Sequence, residues 1–481
     1  MKTEEISLIQ SQKNAAIEAP AGHGKTEMIT DLVDKLPGKK LVLTHTNAGV
    51  DALQQRMKRK SVSVDRYYLS TITSFCMKWC NAYPQTANMD FAVKMSDSNK
   101  YYPMVHDGAV RIFQNEWARE VIRTTYSCVI VDEYQDCVLV QHQIFVELNK
   151  TLPVYVLGDP LQAIFGFKEK LVSWKNMCFN ITPIDTHPWR WEKTNPGLGQ
   201  YLNEVRKQLL PGLDGQCVKL STVPNQGDVH RISPSALYDG SIFKIANQYD
   251  TVLYIAKWEP DTIAFSKGTG GLFQHDEPQS LKILYDTSQL LDIDDGYLRA
   301  KTIYDFIGEC ASGVATELKS YEDHIKKKDF NFNRIKKYPE FGKRMANLYK
   351  YHGHNDMMAV LDWIRNESGF HIHRRELFNE MQRSIKRARD LNIPIIQAAQ
   401  EIRMIPGNQS KYAGFKRLAS RTLLSKGLEF DCVIIDLSKV IQNAYSRYSS
   451  TEMYVAMTRA MKAIYFITDQ DSVVLSVPQG I

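Results

Sequence analysis

The chain has 481 residues, 43% of them hydrophobic and 24% charged, with 60 Lys and Arg against 54 Asp and Glu for a net charge of +6. That is the mix of a soluble globular protein with room for about three lobes, and an aromatic content of 10% excludes an intrinsically disordered chain. No run approaches the roughly 18 apolar residues of a membrane span, Met1-Lys2-Thr3-Glu4-Glu5 lacks the apolar run of a secretory leader, and eight scattered cysteines exclude a disulfide framework.

The expected location is therefore the cytoplasm, without a membrane partner. The mildly basic balance is compatible with a polyanion but does not identify one.

In chain order, the first third alternates short apolar runs with helical stretches, the pattern of a parallel sheet covered by helices. Ala15–Ala19 reads as a strand entering a glycine-rich turn, followed by strands at Lys40–Thr44, Cys128–Val131 and Val154–Leu157. Each is an unbroken apolar run, as strands buried on both faces require. The stretch 81–123 breaks the rhythm and reads as an inserted helical piece. Within the helix before it, Cys76 and Cys80 lie four apart, but no second pair or nearby His completes a zinc site, so they read as small core residues.

Buried strands return at Thr251–Ile255, Cys432–Asp436 and Ala463–Ile467. Between the first two lies a long, charged, mainly helical stretch containing Lys326-Lys327-Lys328, Lys336-Lys337 and Lys343-Arg344. Its basic part, 319–350, reads as a solvated helical face rather than a nucleic-acid track. The aromatics there (Tyr321, Phe330, Phe332, Tyr338, Tyr349 and Tyr351) read as a small core. The architecture expected is α/β, with two lobes built on parallel sheets and each interrupted by a mainly helical insertion. The first lobe takes 1–80 and 124–180 around the insertion 81–123; the second takes 181–280 and 413–481 around a basic helical insertion at 281–412.

The most specific signal is Ala19-Pro20-Ala21-Gly22-His23-Gly24-Lys25-Thr26, which follows a strand and opens a helix. Gly22 and Gly24 let backbone N–H groups turn toward phosphates, the helix N-terminus adds partial positive charge, and Lys25 reaches the β/γ oxygens. Thr26 offers its hydroxyl to Mg²⁺. Downstream, Val131-Asp132-Glu133-Tyr134-Gln135-Asp136 closes another apolar strand. Asp132 there can hold the metal, and Glu133 can act as base toward an attacking water.

The ordered set of motifs resembles the UvrD/Rep-like superfamily 1 DNA helicases, from Gln12 to near the C-terminus. The resemblance implies two RecA-like P-loop lobes with ATP and Mg²⁺ between them. It places Gln12 on the adenine, and Thr44-His45-Thr46-Asn47 where the family touches DNA, with His45 in the place of a base-contacting Phe. Thr71-Ile72-Thr73-Ser74-Phe75 is similar to the next DNA-contacting motif, through Thr73 and Ser74. In Gly158-Asp159-Pro160-Leu161-Gln162-Ala163-Ile164-Phe165-Gly166-Phe167-Lys168, Gln162 would sense the γ-phosphate. Phe165 and Phe167 would stack on bases beside Lys168; stacking is sequence-tolerant because every base has a π face.

In the second lobe, His187-Pro188-Trp189-Arg190 resembles the motif whose aromatic stacks on adenine and whose Arg meets the γ-phosphate. Ser425-Lys426-Gly427-Leu428-Glu429-Phe430 resembles the ribose-binding motif, through Glu429. Tyr454-Val455-Ala456-Met457-Thr458-Arg459-Ala460 looks like the last motif, with Arg459 as an in-cis arginine finger.

The resemblance implies an ATP-driven helicase or translocase acting on single-stranded or partly duplex DNA, with 3′-to-5′ polarity. The alternative is a DNA-sensing ATPase that serves as one subunit of a complex and controls a partner nuclease. Small UvrD-like proteins accompany a nuclease subunit (OLD-like) in bacterial anti-phage systems such as Gabija.

Overall fold

The computed structural model describes residues 1–93, 97–166, 169–223, 227–270, 272–275, 281–372, 374–404, 416–439 and 447–478. They fall into two compact units, 1–276 with 407–481, and 277–406.

The first unit contains two parallel sheets. Strands β1 (Asn14–Glu18), β2 (Lys40–Thr44), β3 (Tyr67–Thr71), β4 (Cys128–Val131) and β5 (Val154–Gly158) form the first, in the order β1-β5-β4-β2-β3. Every pairing is parallel. The unbroken apolar runs follow from burial on both sides. Ala16, Leu41, Leu43, Val129 and Val131 face one core, and Ala15, Ile17, Val42 and Ile130 face the other. The inserted piece is helical, at Pro84–Ala87, Ser98–Phe113 and Glu116–Thr125. It shares the first of those cores, where Phe75 stacks on Phe113 at 5.9 Å. Cys76 and Cys80 are fully buried in it, and burial pushes both thiols up.

Strands β6 (Val218–Ser221), β7 (Asp228–Ile232), β8 (Val252–Ile255) and β9 (Gln274–His275) follow in the chain. Then come β10 (Ala311–Ser312) and β11 (His371–Ile372) of the second unit, and β12 (Arg417–Ser420), β13 (Phe430–Asp436), β14 (Ala460–Ile467) and β15 (Ser472–Leu475). The second sheet of the first unit runs β7-β14-β13-β8-β12-β9, again parallel throughout, and β6 and β15 form a separate antiparallel pair.

The unit 277–406 is helical apart from the short β10–β11 pair. Its core gathers Tyr321, Phe330, Phe332, Phe341 and Phe378, with Tyr338 packed at its edge. Tyr349 and Tyr351 do not join it: both are exposed at the last turn of their helix, Tyr349 lying over Phe330 at 4.2 Å. The lysines around it reach carboxylates on the same surface: Lys326 with Glu322, Lys337 with Glu317, and Lys343 with Glu340. Among the described residues, no helix is long and apolar enough to cross a membrane.

Candidate active site

Open α/β sheets collect ligands at the C-terminal ends of their strands. In the first sheet, β1, β5 and β4 are neighbours, and the loops leaving them carry the strongest motifs. Gly22 and Gly24 sit at φ 73° and 84°, left-handed angles that glycine adopts without a Cβ penalty. Space is short as well, most of all at Gly22. A Cβ on Gly22 would stand 2.6 Å from Cζ3 of Trp191, and one on Gly24 would stand 3.1 Å from Cδ1 of Trp189. Gly24 then opens the helix Lys25–Lys35, whose first N–H groups lack intrahelical partners. Beside the loop, His23 is buried with Nε2 3.1 Å from Oδ1 of Asn203, and burial pushes its imidazole down to about 4, leaving it neutral.

Lys25 points at the acids that end β4. Its Nζ lies 2.7 Å from Oε1 of Glu133 and 3.8 Å from Oδ1 of Asp132. Burial opposes the charge on Lys25, but Glu133 and Asp132 outweigh it and hold the ammonium above its ordinary value. Burial likewise works against the carboxylate of Glu133; Lys25 and Lys426 overcome it and hold the group well below the usual range. Burial wins at Asp132, whose pKa rises despite Lys25. Glu133 is thus the more acidic member of the pair and is held ionised, as a proton acceptor must be. Its backbone takes a left-handed φ of 55°, a strained angle for a residue with a side chain. Gln135 steadies the carboxylate by donating from Nε2 to Oε2 at 2.5 Å.

Asp159, at the end of β5, is fully buried and joins the elements around it. It accepts from the backbone N–H of Ala21 at 3.0 Å, from that of Leu161 at 3.2 Å and from Nε2 of Gln162 at 3.1 Å. Arg206, on the helix Pro196–Leu209, donates to it at 2.9 Å and to Glu18 at 2.6 Å. Neither Asp159 nor Arg206 stood out in the sequence as a site residue. The only signal for Asp159 was its place in the Gly158-Asp159-Pro160 string, and Arg206 had none. Truncating one partner of a buried charge pair strands the other. Asp159→Ala is therefore expected to cost about 3–5 kcal/mol, read as a lower urea midpoint. An unchanged midpoint would remove Asp159 from this anchoring role.

The second sheet supplies the opposite wall. The backbone N–H of Arg190 donates to the Gly22 carbonyl at 3.1 Å, which ties the Trp189-Arg190-Trp191 segment to the glycine loop. The Arg190 guanidinium donates to the Thr458 carbonyl at 2.7 Å and to Oε1 of Glu429 at 2.6 Å. Trp189 is 58% exposed above Gly24, with the His187 ring edge-on at 4.5 Å. Arg459 is 2% exposed and, among the described residues, donates to neutral oxygens alone: Val455 O at 2.9 Å, Leu428 O at 3.2 Å and Thr458 Oγ1 at 3.1 Å. Burial, with Arg190 close by, pulls its guanidinium down to about 10, still charged at neutral pH. Gln12 accepts from the Thr182 hydroxyl at 2.9 Å. Thr26 is half-buried in the first turn of the Lys25–Lys35 helix.

Of the residues expected to meet DNA, His45 and Phe165 lie close to the acidic motif, both beside Lys426. His45 is half-buried, with Nε2 3.3 Å from Sγ of Cys137, and burial with Lys426 nearby leaves it neutral. Thr46 is exposed and caps the helix Asn47–Arg59, accepting from Gly49 N–H at 3.0 Å, and Asn47 is exposed in the first turn. The Thr73 hydroxyl lies 3.1 Å from His106 Nε2, and Ser74 accepts from the Thr71 hydroxyl at 2.8 Å. Phe165 is half-buried, with the Lys426 ammonium 5.2 Å from its ring centre. Phe167 and Lys168 lie outside the described residues.

The site therefore brings together Lys25, Asp132, Glu133 and Gln162 from the first sheet's loops with Arg190, Glu429 and Arg459 from the second sheet's. A glycine loop at a helix N-terminus, an ionised carboxylate and buried arginines together define a P-loop protein of the two-sheet α/β type. The UvrD/REP helicase N-terminal domain matches the chain over residues 1–110 and 103–173. Over that region the chain is UvrD-like. It is 35% identical over 88 residues to the RecBCD enzyme subunit RecB of Buchnera aphidicola subsp. Schizaphis graminum, covering 17% of this chain and 7% of that protein. It is 36% identical over 61 residues to an ATP-dependent helicase/nuclease subunit of Oenococcus oeni, covering 13% of this chain and 5% of that protein. The matched stretches thus span less than a tenth of either relative.

Proposed function

We propose that the chain is an ATP-driven motor of UvrD type that moves along single-stranded DNA. The observation that carries this reading is the run of contacts between the two sheets: Lys25 pairs with Glu133, the Gly22 carbonyl of the same glycine loop accepts from Arg190, and Arg190 and Arg459 both donate to Thr458. Phosphoryl transfer needs positioning and charge stabilisation more than covalent chemistry. Lys25 and the helix N-terminus bind the phosphates. Glu133 takes the proton of the attacking water. The two arginines receive negative charge on the transferring group, and Trp189, Gln12 and Glu429 hold the nucleoside.

Thr26 and the buried Asp132 fit a hard cation such as Mg²⁺, which is typically held by one or two protein oxygens together with substrate phosphates. When bound, it neutralises phosphate charge. Because the catalytic groups come from both sheets, binding and hydrolysis alternately tighten and relax their contact. His45, Thr46, Asn47, Thr73, Ser74, Phe165, Phe167 and Lys168 grip the strand in this reading. The 3′-to-5′ polarity follows from the family resemblance, and the location proposed is the cytoplasm. A second reading is an ATPase that governs a partner nuclease within an anti-phage defence complex. It is favoured by the names of both relatives, one a component of the RecBCD enzyme and the other of a helicase/nuclease.

The test is ATP hydrolysis by the purified protein with and without single-stranded DNA, followed by the same assay on Phe165→Ala. Loss of one base stack should weaken single-strand binding by about 1–3 kcal/mol, roughly tenfold or more. The DNA-stimulated rate should fall with it. Hydrolysis indifferent to DNA in the wild type would sink the motor reading, and unchanged DNA affinity in the variant would remove Phe165 from the track. A nuclease that co-purifies in fixed ratio, with little strand separation, would favour the second reading.

A further inference from the structure

Lys426 leaves a tight turn between the short helix Thr422–Ser425 and β13. The turn is fixed from both sides: the Leu428 N–H donates to the Ser425 carbonyl at 3.0 Å, and the buried Ser425 hydroxyl donates to the Thr422 carbonyl at 2.8 Å. From this second-sheet turn the side chain crosses to the first sheet and meets four groups at once. Its ammonium pairs with Asp136 and donates to the Gln162 carbonyl at 2.7 Å. It lies 4.0 Å from Oε2 of Glu133. It also stands 5.2 Å from the centre of the Phe165 ring. The side chains of Lys426 and Asp136 are only 11% and 3% exposed, so this charge is little screened and its field at Glu133 is strong.

One ammonium therefore touches the aromatic proposed to carry a base, the backbone of the residue proposed to sense the γ-phosphate, and the surroundings of the proton acceptor. A base arriving at Phe165 changes the ring's environment on which the cation rests. Phosphates arriving at Lys25 draw that lysine from Glu133 and leave Lys426 as the nearest cation to the carboxylate. Each ligand has a different best position for the same charge, which is the requirement for coupling between two sites. We propose that Lys426 is the positioning residue through which single-stranded DNA at Phe165 and nucleotide at Lys25 and Glu133 sense one another. The proposal rests on the motor reading above and names the side chain that links its two ligands.

The measurement is the affinity of a fluorescent oligo(dT) by anisotropy, with and without a saturating non-hydrolysable ATP analogue and Mg²⁺, so that no turnover is involved. The ratio of the two affinities is the coupling factor. In the wild type it should depart from 1 by about fivefold or more. In Lys426→Met, which keeps an unbranched stem without the charge, it should shrink to within about twofold of 1. Lys426→Arg, which restores the cation, should recover most of it; a purely packing role would not distinguish Arg from Met in this way. A folded Lys426→Met with the wild-type coupling factor overturns the proposal. Should that variant fail to melt cooperatively, Asp136→Asn breaks the same pair from the other side and decides by the same ratio. A wild type with no coupling, or no DNA binding, overturns the motor reading itself. Coupling that is intact in the wild type and survives in the variants overturns only the role of Lys426.

Discussion

Glu133→Gln is expected to lower ATP turnover by about 10²- to 10⁴-fold while ATP still binds. The carboxylate is held well below its ordinary range because Lys25 and Lys426 overcome the cost of its burial. It is therefore present as the base, and an amide of the same shape cannot take a proton. Binding should survive because Lys25 keeps Asp132 at 3.8 Å as a countercharge, and the glycine loop is untouched. Lys25→Ala should fail differently. It removes a phosphate-binding charge and also strips Glu133 of its nearest cation at 2.7 Å, so nucleotide affinity and turnover should fall together. Equilibrium binding of a fluorescent ATP analogue, set beside steady-state kcat, separates the two patterns. Near-normal turnover in Glu133→Gln would mean that another group activates the water.

Much of this site was readable before any coordinates, because its parts are local. A loop such as Gly22-His23-Gly24-Lys25 needs two positive φ angles within three residues, and glycine advertises them. The strands leading into the acidic motif and Asp159 are buried on both faces and so are apolar without interruption. Strands without that property escaped notice. β6 reads Val218-Lys219-Leu220-Ser221, buried at every other residue, and β7 reads Asp228-Val229-His230-Arg231-Ile232 at the edge of its sheet. Their short alternating or polar strings carry little periodic signal. The same limit applies to side chains whose role is a contact. Lys426 meets Asp136 across 290 positions of chain, and Arg206 meets Asp159 across 47. Nothing in either string announces its partner, since a lone lysine or arginine on a helix or turn is ordinarily a solvated charge.

Arg459→Ala should reduce kcat by about 10³- to 10⁵-fold, the range by which an arginine finger accelerates phosphoryl transfer. The argument begins from the cost of its position. The guanidinium is 2% exposed, and its donors meet only two carbonyls and a hydroxyl, with no carboxylate in ion-pair range among the described residues. A buried cation without an anion is expensive to hold. This one keeps its charge with a guanidinium value drawn down to about 10, beside a second cation, Arg190. Such a group gains most from negative charge that appears next to it during the reaction, so its contribution should fall on turnover rather than on ground-state binding. Arg190 differs in having Glu429 at 2.6 Å, a partner it must loosen before it can serve a phosphate. Arg459→Ala should therefore leave nucleotide affinity within about threefold while kcat collapses, and Lys in its place should not restore the rate, because an ammonium lacks the guanidinium's fork of donors. A variant that loses affinity and keeps its kcat at saturating ATP would show Arg459 to be a binding residue.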